Sequence, residues 1–411
     1  GWEVPRDELK VMALGKRVTK ARARHQQTEQ AAKPEVNAAQ VAQAAGQDRE
    51  LGDEQGAQAK DKPQKQGLRK EVEGQISVKT VDPAHYDRLL RLMKRHAAPF
   101  DDDLSKPATG LPEFAIDTGS ARPVRSAPYQ ATYVEKKQIE QHLREMLEKD
   151  IIEPSTSAWA SPVVLVPKAD GTTRMCINFK RLNDVTKPDG YPLPLISQIL
   201  DCLKTANVFS VLDLKSGFHQ LQLDPGSREK TAFVSHKGQH QYKRVPMGLK
   251  NAAAAFQRAI EVALAGLVHS ICLVYIDDVL IFSFGADQHE RDVDAVLERL
   301  EQHGLKVNLQ KAQFFQNEVK FLGYLVSAEG VRPDPAKVEA INKLPIPANR
   351  RDVQVFLGSV NYWRSFVPAL ATTATPLFKL LQEDAPFQWL PEHQQAFDSI
   401  KKTLTSEPFL A

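Results

Sequence analysis

Residues 271–283 read ICLVYIDDVLIFS. Six apolar residues precede Asp277-Asp278 and four follow, the pattern of a buried hairpin whose tip carries two adjacent negative charges. Asp is a common turn former, so this pair taken alone fits a surface turn equally well. A second stretch breaks the tie. VFSVLDL, residues 208–214, is another apolar strand that ends on a carboxylate, Asp213, followed by Lys215-Ser216-Gly217-Phe218. Three strand-end carboxylates can converge on one face, where they are costly unless a cation compensates them. Hard oxygen ligands suit Mg²⁺ or Mn²⁺. Two such ions about 3.5–4 Å apart are the apparatus of phosphoryl transfer, one lowering the pKa of an attacking hydroxyl and the other stabilising the leaving oxygen.

Around this pair the chain alternates strands and helices. Val208 to Leu214 predicts a strand, and residues 251–265 predict a helix with Phe256, Ile260 and Leu264 on one face. A helix over residues 289–303 follows, with Val293, Val296, Leu297 and Leu300 inward, then strands around Val307 and over residues 321–326. Upstream, Ile139, Leu143, Met146 and Leu147 recur at helical spacing from Tyr133 up to Asp150. Ser161 to Val166 reads as a buried strand, and Asp170-Gly171 as a hairpin turn into residues 175–179, because Asp-Gly readily takes positive φ. Beyond Gly330 the pattern is mostly helical.

The chain has 411 residues, enough for two or three domains, and its 42% hydrophobic content is ordinary for a globular protein. A formal charge of +3 neither requires nor excludes a polyanionic partner. Cys176, Cys202 and Cys272 are far apart among apolar neighbours, which predicts free buried thiols in a reducing compartment. No apolar run has the length of a membrane span and no signal pattern opens the chain, so a soluble, intracellular protein without a membrane partner is expected. With no initiator Met and a last stretch, Pro408 to Ala411, that reads as an unfinished element, the sequence reads as a fragment of something longer. Residues 1–80 are rich in Ala, Gln, Lys and Glu, with Trp2 the only aromatic, and are expected to be disordered. Their basic run Lys10, Lys16, Arg17, Lys20, Arg22 and Arg24 reads as a solvated face before it reads as a phosphate-binding or targeting segment.

The sequence resembles the reverse transcriptases of gypsy-type long-terminal-repeat retrotransposons, relatives of the retroviral enzymes. The resemblance runs through SPVVLVPKADGTTRMCINFKRLNDVT (161–186), YPLPLI (191–196), VFSVLDLKSGFHQLQL (208–223) and KTAFV (230–234). It continues through PMGLKNAAAAFQ (246–257), YIDDVLIFS (275–283), FLGYLVSAEGVRPDPAKVEAI (321–341) and FLGSVNYWRSFV (356–367). These blocks stand in family order and spacing from about His85 to the end of the chain.

That resemblance implies an α+β right-hand polymerase with an antiparallel palm sheet. It divides the chain into a disordered segment (1–80), an extended lead-in (81–133), fingers and palm (134–327), a thumb (328–385) and the truncated start of a connection and ribonuclease H region (386–411). It implies Asp213, Asp277 and Asp278 as catalytic ligands of two Mg²⁺ or Mn²⁺ ions, with Asp213 and Asp277 bridging them. Lys168, Arg174, Leu214, Phe218 and Met247 would contact the deoxynucleoside triphosphate, and Leu322, Gly323 and Tyr324 would grip the primer. The cations Lys168 and Arg174 would neutralise triphosphate charge. Phe218 would crowd a ribose 2′-hydroxyl as a steric gate, where the family more often has Tyr; Met247 stands where Phe or Gln is common. Solvated hairpin, core packing and ordinary strand are the plainer readings of these positions.

The implied partners are an RNA or DNA template with its primer, deoxynucleoside triphosphates, and the protease, ribonuclease H and integrase parts of the same polyprotein. The implied location is the cytoplasm, in a virus-like particle, with the nucleus as a second site; oligomeric state is left open. Ala253, Asn178 and Pro167 depart from the usual Pro, Asp and Lys, and none removes a metal ligand. The competing reading is a decayed or co-opted nucleic-acid-binding fragment without polymerase activity. FAIDTGS (114–120) resembles an aspartic protease turn, but the basic, proline-rich ARPVRSAPYQ that follows cannot build a protease lobe. His219, His236 and His240 lack partners at metal-ligand spacing. The chain stops before a first ribonuclease H carboxylate, so hybrid cleavage is not expected of it.

Overall fold

The computed structural model describes residues 81–406 apart from 168–170, 195–202, 204–205 and 383–385. The expected disorder of residues 1–80, the Asp170 end of the predicted turn, Lys168 and Cys202 lie outside the described residues. Those described form two units, one running to Val331 and one from Arg332.

In the first unit, β7 (Cys272–Tyr275), β8 (Asp278–Ser283), β4 (Val208–Asp213) and β9 (Gln313–Gln316) form an antiparallel sheet in the order β7-β8-β4-β9. Its strands are apolar on both faces because both faces are covered, with Phe209, Leu212, Leu273, Val279 and Leu280 all buried. Helix Ala252–Ala263 turns Phe256, Ala259, Ile260 and Ala263 inward at three- and four-residue spacing. Helix Ala286–Gln302 does the same with Val293, Val296, Leu297 and Leu300 and packs on β8 and β4. Beneath it His289 bonds Ser210 of β4 at 2.6 Å and Ser283 of β8 at 2.8 Å, and Ser283 donates to Asp292 at 2.5 Å.

A second sheet has the order β1-β6-β5-β2-β3, from β1 (Ile152–Pro154), β2 (Ser161–Pro167), β3 (Thr173–Ile177), β5 (Phe233–Ser235) and β6 (Gly238–Tyr242). β2 and β3 make the expected hairpin, with Gly171 at φ +79°. β3 starts two residues earlier than predicted because Pro167 pairs with Thr173, and it ends at Ile177 because Phe179 caps the helix Lys180–Val185. Helix Tyr133–Glu148 begins at a capping box: Thr132 accepts from the Glu135 N–H while Glu135 accepts from the Thr132 N–H. A third sheet consists of β10 (Glu318–Phe321), β11 (Tyr324–Ser327) and β12 (Gly330–Pro333).

The lead-in is not extended throughout, as the resemblance implied. Residues Tyr86–Arg95 are a helix whose Leu89, Leu92 and Met93 are buried at helical spacing. Its other face pairs with helix Ala286–Gln302: Arg88 with Asp287 and Glu290, Arg91 with Glu290, Arg95 with Asp294, all within 2.6–3.0 Å. His96 lies between Asp294 and Glu301. Partly exposed pairs contribute about 0–1 kcal/mol each, whereas burying each of the apolar side chains contributes roughly 1.5–3 kcal/mol, so packing holds this helix and charge sets its register.

The second unit is helical: Pro335–Asn342, Arg350–Tyr362, Thr375–Lys379 and Pro391–Thr405 are its main helices. The last of these, Pro391–Thr405, packs within this unit. It docks on the others through Phe397 against Phe356 (ring centroids 4.5 Å apart) and through Lys401 Nζ, which donates to the Asn342 and Leu344 carbonyls. No helix among the described residues is long and apolar enough to cross a membrane.

Candidate active site

β4 ends on Asp213 and β8 begins on Asp278, and the antiparallel register places these two residues opposite one another. Directly opposed side chains share a face of the sheet, so carboxylates sixty-five positions apart in sequence arrive together. β7 and β8 close at Tyr275 opposite Asp278, which leaves Ile276 and Asp277 as the two-residue turn. The Leu214 N–H donates to the Asp277 carbonyl at 2.9 Å and ties that turn to the end of β4; the Asn308 N–H donates to the Asp213 carbonyl at 2.8 Å.

Burial pushes the Asp277 carboxyl up to about 6, with the negative charges of Asp213 and Asp278 adding to the effect. Asp278 is likewise pushed up to about 6, by burial and then by Asp213. Keeping both ionised at neutral pH therefore costs on the order of a few kcal/mol. Lys311 Nζ, 3.0 Å from Asp213 Oδ2, relieves part of this. Asp277 Oδ1 is buried without a hydrogen-bond partner. The reason is steric as well as electrostatic: Gly217 packs against it, and a Cβ on Gly217 would collide with that oxygen and lie 2.7 Å from Phe256 Cζ.

Among the described residues no three His, Cys, Asp or Glu side chains close into a ready-made ion cage, and Asp213 is engaged with Lys311. The negative charges of Asp213 and Asp278 nevertheless act on Asp277, and that of Asp213 on Asp278, so the three carboxylates share one electrostatic field. An all-oxygen donor set, one donor of which has no hydrogen bond to lose, fits a hard divalent cation.

Phe218, in the short helix Gly217–Gln220, is half-buried with its ring 5.3 Å from Phe256, and follows Gly217, which packs against Asp277. Met247 is exposed in the loop after β6. Leu214 has a buried side chain, and its N–H is given to the Asp277 carbonyl. Arg174 is exposed on β3, in the second sheet, and Lys168 lies outside the described residues. Leu322 and Gly323 form the two-residue β10–β11 turn at φ +50° and +81°, and Tyr324 is buried at the start of β11. Two consecutive positive φ values match the twist of a tight hairpin, so this glycine has a local reason as well as the suggested one. The structure thus gathers the aspartates, Leu214 and Phe218 at the end of β4, and leaves Met247 in a loop, Arg174 on the second sheet and Leu322, Gly323 and Tyr324 on the third.

Three residues near the aspartates were not singled out from sequence: Gly217, Lys311 and Gln257, the last wholly buried in helix Ala252–Ala263. Only Gln257 carried a signal, a polar residue on an apolar helix face. The two decoys resolve simply. Asp117 accepts from the Gly119 N–H at 2.7 Å and pairs with Lys187 at 2.8 Å, a turn's own chemistry. His219 is held neutral, its pKa driven down to about 4 by burial and by Arg244, and His236 pairs with Glu140.

The fold matches the foamy viral protease–reverse transcriptase solved with double-stranded DNA, at TM-score 0.73 and 24% identity over 84% of this chain and 61% of that one. A second structure of that protein, with an RNA/DNA hybrid, matches at TM-score 0.68 and 23% identity over 87% of this chain and 48% of that one. These matches show the right-hand polymerase fold, with fingers, palm and thumb. Residues 166–326 match the family described as reverse transcriptase (RNA-dependent DNA polymerase). The retrovirus-related Pol polyprotein from transposon 297 of Drosophila melanogaster is 35% identical over 74% of this chain. That from transposon opus of the same fly is 37% identical over 72%, and the transposon Tf2-3 polyprotein of Schizosaccharomyces pombe 36% over 75%. The chain belongs to the reverse transcriptases of gypsy-type retrotransposon Pol polyproteins, and spans 29%, 31% and 23% of the lengths of those three relatives.

Proposed function

We propose that this chain copies RNA, and DNA, into DNA by transferring deoxynucleotides from their triphosphates to a primer 3′-hydroxyl. The observation that supports this most is the β4–β8 register, which sets Asp213 against Asp278 with Asp277 in the adjoining turn. Asp213, Asp277 and Asp278 would hold two Mg²⁺ or Mn²⁺ ions. When bound, such ions lower the pKa of the attacking hydroxyl and stabilise the leaving oxygen.

The remaining work falls to the protein. Gly217 leaves room for the Asp277 carboxylate, and the Leu214 N–H fixes the turn that carries it. Phe218 and Met247, with the backbone of Leu214, would line the nucleotide, the aromatic ring excluding a 2′-hydroxyl. Arg174 and Lys168 would hold the triphosphate, and Leu322, Gly323 and Tyr324 would steady the primer end. Template, primer and deoxynucleoside triphosphates are the substrates in this reading. Protease, ribonuclease H and integrase segments of a parent polyprotein are the natural associates, and a cytoplasmic virus-like particle, with passage to the nucleus, is the natural location.

Primer extension on poly(rA)–oligo(dT) tests the activity. We expect Mg²⁺-dependent extension that Asp277→Asn abolishes. Salt-sensitive binding to the duplex without any extension would instead mark a nucleic-acid-binding protein that has lost the chemistry.

A further inference from the structure

Ile276 stands in a conformation that its side chain disfavours. Its φ is +53°, in the left-handed region, where a β-branched residue is an outlier. Such a residue persists only when its surroundings over-determine it, and this one directly precedes Asp277. Any relaxation of Ile276 would re-aim the carboxylates that follow.

The surroundings that hold it are found in helix Ala252–Ala263. Gln257 is wholly buried there, and its side chain reaches the hairpin tip. Its Oε1 accepts the Ile276 N–H at 2.7 Å, and its Nε2 donates to the Val274 carbonyl at 3.0 Å. The second Nε2 hydrogen goes to Glu261 Oε1 at 2.7 Å, and the other oxygen of Glu261 accepts from the Tyr191 hydroxyl. These partners fix which way the amide faces, because a flipped amide would set its oxygen against two acceptors and its nitrogen against a donor. Arg258, one residue along, keeps Tyr191 in place by lying 4.6 Å above its ring while pairing with Asp189.

We propose that Gln257 is a positioning residue for the catalytic turn: its amide holds Ile276 in the left-handed conformation and thereby aims Asp277 and Asp278. It acts through the backbone and touches neither substrate nor ion. The inference rests on the reading of those aspartates as catalytic. A glutamine that merely satisfies itself in the core would contribute stability without any link to the backbone conformation at position 276.

Two measurements on the full chain decide it. The first is a double-mutant cycle between Gln257→Leu, which keeps the core filled but loses the amide, and Ile276→Gly, which removes the conformational penalty. In the parent background Gln257→Leu is expected to lower kcat about tenfold, with KM for nucleotide and affinity for primer–template within about twofold; in the Ile276→Gly background the same change should cost less than about threefold. Equal losses in both backgrounds, or an unchanged kcat in the parent, would overturn the proposal. The second needs no variant: residue-resolved amide exchange in the parent protein. The Ile276 N–H should exchange as slowly as the amides of β8, and exchange at the rate of an open turn would overturn the proposal by itself. If Asp277→Asn extended primers like the parent, the catalytic reading would fall separately, and the exchange result would still report on the clasp.

Discussion

A carboxyl whose folded pKa lies above its unfolded value binds its proton more tightly in the folded protein. The stability it contributes is complete below the unfolded value and is lost as pH rises through the folded one. Asp277 and Asp278, both pushed up to about 6, therefore weaken the metal-free fold above that pH. Asp277→Asn should accordingly abolish extension while raising the melting temperature in chelator at pH 7.5, by about 2–4 °C for each kcal/mol recovered. The gain should vanish near pH 4; an equal or lower melting temperature at pH 7.5 would refute it. Phe218 makes a second prediction at this scale. Phe218→Ala should narrow the preference for deoxynucleotides over ribonucleotides by about tenfold or more in kcat/KM, and unchanged selectivity would leave the ring as core packing against Phe256. The aspartates were legible because acids at the ends of apolar strands form a local pattern, whereas Phe218 was singled out only through the family resemblance. Gly217 and Lys311 were not legible, since what matters in each is a contact with a residue distant in sequence, Asp277 for Gly217 and Asp213 for Lys311.

Elements were legible where turn chemistry or periodicity spoke clearly. The hairpin within 271–283 follows from an apolar run broken by two acids, though its turn is Ile276-Asp277, and the helices over 252–263 and 286–302 follow from three-to-four spacings; the strand read over 321–326 is instead broken by the Leu322-Gly323 turn. Helix Tyr86–Arg95 had the same spacing in Leu89, Leu92 and Met93, yet it is short and highly charged. Its stability comes from the acidic and apolar helix it meets, which no local window contains. That partner helix supplies the prediction at this scale. His289, driven down to about 3 by burial, stays neutral between Ser210 and Ser283. Its contribution is complete above the ordinary histidine value near 6.5 and is lost as pH falls from there toward about 3. Urea unfolding should show the parent losing stability between pH 6.5 and 4 more steeply than His289→Gln. Parallel pH profiles would mean that the imidazole is not buried neutral.

The whole chain divides at Arg332 into a mixed sheet-and-helix unit and a helical one. Within the helical unit, Phe397, Ile400 and Leu404 of helix Pro391–Thr405 are buried against its other helices. A chain cut after residue 385 should consequently lose the helical signal of residues 332–385 as well as its own, while the unit that carries the aspartates keeps a cooperative melt. Retention of that signal would show the last helix to be dispensable. The claim on which everything else depends is that Asp213 and the Asp277-Asp278 pair share divalent ions. Anomalous diffraction from crystals soaked in Mn²⁺ tests it most directly. We predict manganese peaks ligated by Asp213 together with Asp277 or Asp278, and Lys311 displaced from Asp213. Peaks held elsewhere, or none with Lys311 still seated on Asp213, would contradict the account.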